Sequence, residues 1–119
     1  MRRAGISVAV GGDNCRDGLY AYGDHDMVES WCYAVRISHL DHPFADAPGL
    51  AGSVPAGIMG VKSAGSIGKG MPARFILFAA RSLNELICRP HGGRIVIDRG
   101  RPIVEELPDY EELDATVAR

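Results

Sequence analysis

Apolar residues fall in short clusters separated by glycine, aspartate and proline. The first cluster, Ile6-Ser7-Val8-Ala9-Val10, predicts a short, mostly buried strand. Gly11 to Asp24 reads as a glycine- and aspartate-rich loop holding Tyr20 and Tyr22. Asp26-Met27-Val28-Glu29 has the form of a capping box, with Asp26 as N-cap. The helix behind it runs to about Leu40, with Met27, Trp31, Ala34, Val35 and Ile37 as its apolar stripe, and His42-Pro43 ends it. Phe44 to Gly52 reads as a loop of small residues. Ser53 to Val61 reads as a short helix, with a proline in its first turn and Gly60 near its end.

Beyond Gly65 the pattern changes. Ile67, Phe75 to Ala80, Arg94 to Ile97 and Arg101 to Val104 predict short strands with turns between them. Asp98-Arg99-Gly100-Arg101 predicts a hairpin turn. Ser82-Leu83-Asn84-Glu85 is a second capping box and opens a brief helix ending near Arg89-Pro90. Pro108 to Leu113 predicts a last helical turn or two. The chain therefore divides into residues 1–64 and 65–119, with a seam near Lys62 to Ala64, and reads as α/β.

A length of 119 residues suits one small domain with a modest core. The net charge of −2 gives no electrostatic case for nucleic acid or an anionic membrane. No apolar run approaches the ~20 residues that span a bilayer. The stretch after Met1-Arg2-Arg3 is too short for a secretory signal, which makes the cytoplasm the expected compartment. The three cysteines, Cys15, Cys32 and Cys88, are odd in number and widely spaced, as expected of free thiols in a reducing compartment. No phosphate-binding loop, dinucleotide fingerprint, Gly-x-Ser-x-Gly or Pro-Cys-x-x-Cys occurs.

The chemistry concentrates at Asp13, where the first strand runs into Gly11-Gly12. In a β/α barrel the C-terminal end of a strand holds catalytic groups. A carboxylate there can bind a divalent metal and move a proton. By position alone, an aspartate capping the turn after a strand is the commoner reading. Asn14 and Asp17 are placed to order the loop through side-chain to backbone hydrogen bonds. Tyr20 and Tyr22 either pack the loop or wall a pocket. His39 and His42 would share a helical face but read as solvated histidines. Glu105-Glu106 and Glu111-Glu112 read as a solvated acidic surface.

Three stretches resemble the C-terminal end of the amidohydrolase superfamily, most closely bacterial cytosine deaminase. Gly12-Asp13-Asn14-Cys15-Arg16-Asp17-Gly18-Leu19-Tyr20-Ala21-Tyr22-Gly23 resembles that family's loop after the eighth barrel strand. Gly65-Ser66-Ile67-Gly68-Lys69-Gly70-Met71-Pro72-Ala73-Arg74-Phe75-Ile76-Leu77 resembles the return to its β-sandwich. Asn84-Glu85-Leu86, Arg94-Ile95-Val96-Ile97, Gly100-Arg101-Pro102-Ile103 and Leu107-Pro108-Asp109-Tyr110 resemble its tail. The likeness runs from about Ile6 to Leu113.

The resemblance implies the last strand and helix of a metal-dependent hydrolase (β/α)8 barrel in residues 1–64. It implies the C-terminal part of a small β-sandwich in residues 65–119. In the complete enzyme it implies one divalent metal, iron or zinc, and hydrolysis of a C–N bond in a pyrimidine-like cyclic amidine with release of ammonia. Asp13 falls on the metal-binding, proton-shuttling aspartate, and Asn14 beside it on a substrate contact. The sequence departs from the family in four ways: it has no His-x-His, it lacks the glutamate-bearing substrate strand, Gly18 replaces a usual proline, and Arg74 replaces a usual aspartate.

The expectation is accordingly a fragment, inactive alone and with no metal of its own, that needs a missing N-terminal barrel part or self-association. Two alternatives stand beside it. One is a non-catalytic β module for self-association or protein binding. The other is a fragment of a different amidohydrolase, of the dihydroorotase or deacylase type.

Overall fold

The computed structural model describes residues 4–90, 92–104 and 109–114. The expectations for Met1 to Arg3, Glu105-Glu106 and Leu107-Pro108 lie outside the described residues. The elements are α1 (Met27–Ile37), a 3-10 helix (Phe44–Leu50), α2 (Ser53–Ile58), β1 (Phe75–Phe78), α3 (Leu83–Cys88), β2 (Arg94–Asp98), β3 (Arg101–Ile103) and a 3-10 turn (Tyr110–Leu113).

Asp26 caps α1 as expected: its side chain accepts from the Val28 amide at 2.9 Å. The helix stops at Ile37, short of Leu40, for a local reason. His39 adopts a left-handed conformation at φ 51°, and the Leu40 amide returns to the Val35 carbonyl at 3.0 Å. This six-to-one closure ends helices, and the apolar residue after the left-handed position docks back onto them. Leu40 does so against the core. His39 and His42 therefore do not share a helical face, and His42 pairs with Asp41 at 3.0 Å on the surface.

Phe44 to Leu50 is helical where a loop was expected. Ala47 and Leu50 are both buried, and a three-residue period puts them on one edge of a 3-10 helix. Trp31 fixes that helix by donating its indole N–H to the Ala47 carbonyl at 2.7 Å. The core consists of Trp31, Cys32 and Val35 from α1, Ala47 and Leu50, and Ile87 from α3. Ile37, assigned to the apolar stripe from its spacing, is 73% exposed, and Cys32 takes an inward place instead. Burial raises the Cys32 thiol pKa. All three cysteines are free thiols.

Ile6 to Val10 is not part of any sheet. Val8 and Val10 are half-buried against the core while Ser7 and Ala9 are exposed, a strand's two-residue alternation. The Val10 amide donates to the Leu50 carbonyl at 2.8 Å. A ladder needs a neighbouring strand, and none of the described strands lies beside this segment.

The sheet is antiparallel in the order β1-β2-β3, with Leu77 opposite Ile95 and Val96 opposite Ile103. Ile67 lies outside it. The expected hairpin turn is present. Asp98 pairs with Arg101, and Arg99 and Gly100 both have positive φ, 49° and 80°. That combination is the tight turn whose twist matches paired strands. Arg74, unusual at its position, reaches Asp98 at 2.6 Å.

Much apolar surface lies open. Leu77 and Ile95, facing one another across the register, are 51% and 52% exposed. The accessible surface is 9554 Å² for a 12.8 kDa chain, where a self-contained monomer of that mass exposes roughly 6,300 Å². The radius of gyration is 16.5 Å, against about 13.5 Å for a compact domain of this length. Among the described residues no helix is long and apolar enough to cross a membrane.

Candidate functional site

The loop between Val10 and α1 closes on itself. The Asp17 carboxylate accepts from the Leu19 and Tyr20 amides at 2.8 and 2.9 Å through one oxygen. Its other oxygen accepts from the Asn14 side-chain amide at 2.7 Å. These are the turn-forming bonds its sequence position suggested. Across the loop, the Arg16 amide donates to the Tyr22 carbonyl and the Asp17 amide to the Tyr20 carbonyl, both at 3.0 Å. The Arg16 guanidinium donates to the Gly23 carbonyl at 3.0 Å and pairs with Asp24 at 2.8 Å. Tyr20 and Tyr22 meet edge to face, with centroids 5.5 Å apart.

The hydrogen bonds from Asn14, then Tyr20 and Leu19, hold the Asp17 carboxyl below its ordinary pKa of 3.8. A depressed carboxylate stabilises the folded loop above the unfolded pKa, and loses that contribution as pH falls through the folded one. The Leu19 and Tyr20 amide resonances are therefore expected to keep their native shifts at pH 5 and to titrate together with a midpoint below 3.8. A midpoint above that value would contradict this account of the loop.

The loop and the first turn of α1 enclose a cleft of about 190 Å³. Asp13 and Asn14 both line it, together with Tyr20, His25, Asp26, Glu29 and Tyr33. Asp13 is exposed, and among the described residues its side chain has no hydrogen-bond partner. Asn14 is half-buried and already engaged with Asp17. Tyr22 is not among the lining residues.

Three further side chains contribute to the site. Tyr33 and Glu29 face the cleft from α1, which helical spacing back from the Asp26 cap would have indicated. Arg94 reaches Asp26 at 2.6 Å from 68 residues away, and no local pattern announces it.

Asp13, the carboxylate that the resemblance offers as a metal ligand, lies in this cleft with Asp26 and Glu29. Among the described residues, however, no three His, Cys, Asp or Glu side chains are grouped to bind one. Catalytic metal sites use about three protein ligands. The residues described here do not by themselves fit a metal centre.

Over 117 residues the chain is 46% identical to a pterin deaminase of Rhizobium rhizogenes, an alignment covering 98% of this chain and 27% of that protein. The fold matches part of the crystal structure of 5-methylcytosine deaminase from Klebsiella pneumoniae liganded with 5-fluorocytosine. There the TM-score is 0.72 and the identity 20%, over 92% of this chain and 27% of that one. The chain thus spans about a quarter of the length of each. No family model matches it.

Proposed function

We infer that this chain is the C-terminal part of a deaminase of the amidohydrolase superfamily, and that it works only when joined by the rest of that enzyme. One observation carries the reading: identity of 46% across 98% of the chain to a pterin deaminase, of which it matches 27%. The open surface supports it. Half-exposed Leu77 and Ile95, and, among the described residues, two open sheet edges and an Ile6 to Val10 segment with no strand beside it suit a piece that packs against more protein.

In this reading residues 1–64 end the barrel, with Ile6 to Val10 as its eighth strand once neighbours flank it. Residues 65–119 furnish part of the sandwich. The reaction is hydrolytic deamination of a cyclic amidine. Water adds to the ring carbon bearing the amino group, a proton passes to that group, and ammonia leaves as the carbonyl forms. Asp13 moves the proton and Asn14 contacts the ring. A divalent metal, iron or zinc, would take Asp13 as one ligand, its other ligands coming from outside this chain. Cytosine and the aminopyrimidine ring of a pterin share the required N–C–N unit. The pterin deaminase relationship puts the fused ring first. The reading places the complex in the cytoplasm.

Co-expression with the remainder of the Rhizobium rhizogenes pterin deaminase tests this directly. Ammonia release from pterin, with cytosine as the second substrate, is expected from the pair and from neither piece alone. Release by this chain alone overturns the fragment reading. No release by the pair, with the intact relative active in the same assay, overturns the deaminase reading.

A further inference from the structure

Arg94 opens β2 opposite Phe78 of β1, so the sheet fixes its backbone. Its guanidinium donates to one oxygen of Asp26 at 2.6 Å, while the other oxygen caps α1 through the Val28 amide at 2.9 Å. The Asp26 side chain is 15% exposed and lines the same cleft as Asp13 and Asn14, whereas Arg94 does not line it. From Arg16 to Asp24 the loop is locked by its own hydrogen bonds, so it behaves as one body. That body joins α1 through His25, held at φ 54°, and Asp26. Whatever fixes Asp26 fixes the base of the loop.

We propose that Arg94 is a positioning residue of the site. Acting through Asp26, it couples the sheet to the loop that presents Asp13 and Asn14. A partly exposed ion pair adds little to stability, but a short charge-assisted bond sets direction well. The pair is therefore better suited to placing the loop than to holding the fold. The inference rests on the deaminase reading above.

Two substitutions separate placement from stability. Arg94→Gln removes the charge. Asp26→Asn removes the ion pair but keeps a good helix cap. In the co-expressed enzyme each is expected to lower kcat/KM by roughly 10- to 100-fold, the loss that a displacement of about 1 Å brings. The double variant is expected to be no worse than either single one, and Arg94→Lys to recover part of the loss. In the chain alone, Arg94→Gln should shift the amide resonances of Asp13 to Tyr20 while the melting temperature stays close to that of the unsubstituted chain.

Unchanged kcat/KM in Arg94→Gln, with Asp13→Asn inactive, overturns the inference and leaves the deaminase reading standing. So does a loss that follows a lowered melting temperature with the loop resonances unmoved. Inactivity of the unsubstituted pair strikes the deaminase reading instead. In that case, unmoved loop resonances in Arg94→Gln overturn the coupling by themselves.

Discussion

Asp13→Asn in the co-expressed enzyme is expected to lower kcat by about 10³-fold while leaving the fold of this chain unchanged. A positioned proton-transfer group contributes about 10²- to 10⁴-fold, and a role in holding the metal adds to the loss. Asparagine keeps the shape but can neither carry the proton nor supply the anionic ligand. The change is clean because Asp13 is exposed, and among the described residues its side chain bonds to nothing in the chain. Substitutions at such positions usually stay within about 0.5 kcal/mol. A melting curve of the isolated variant matching that of the parent chain excludes misfolding as the cause. Bound divalent metal in the complex is expected to fall with activity. Retention of most of the activity would remove Asp13 from the chemistry and turn it into an ordinary loop carboxylate.

What could be read from sequence follows the range of the forces involved. Caps and tight turns are local. Asp26, Ser82 and the Arg99-Gly100 turn all came out where the residues indicated. At the second cap the detail differs: Ser82 accepts from the Glu85 amide at 3.2 Å, but Glu85 accepts from the Arg81 amide at 2.8 Å instead of reaching back to Ser82. The loop-ordering role of Asp17 was legible for the same reason.

Features that depend on a distant partner were not legible. The Phe44–Leu50 helix is held by an indole 16 residues earlier in the chain. Ile6 to Val10 carries the right pattern for a strand, but pattern alone cannot form a ladder. Arg94 gave no local signal at all, although it reaches the wall of the cleft. The resemblance itself was legible because whole motifs carry it, and the fold agrees with part of a 5-methylcytosine deaminase at a TM-score of 0.72.

Gly65→Ala is expected to be the most damaging glycine-to-alanine change in the chain, and its cause is a close approach of backbone to backbone. Gly65 adopts φ +80°, and a β-carbon there would sit 2.5 Å from the Gly52 carbonyl oxygen and 2.8 Å from the Ala56 methyl. Two penalties combine. A left-handed backbone strains any residue with a side chain, and backbone cannot give way as a flexible side-chain end does. Together they amount to about 3 kcal/mol, which lowers the melting temperature by on the order of 10 °C in a chain of this size. Gly57, inside α2, provides the opposite case, since a β-carbon there meets nothing within 4 Å. Gly57→Ala is expected to raise stability by about 0.5–1 kcal/mol, because alanine is the better helix former. Thermal melts of the two variants, followed by the fluorescence of the single tryptophan, Trp31, should move in opposite directions. Equal effects would mean that the contact between Gly65 and Gly52 does not hold the turn into the sheet. If the melts do diverge, the glycine that opens the Gly65 to Leu77 stretch is there because backbone passes against backbone at Gly52.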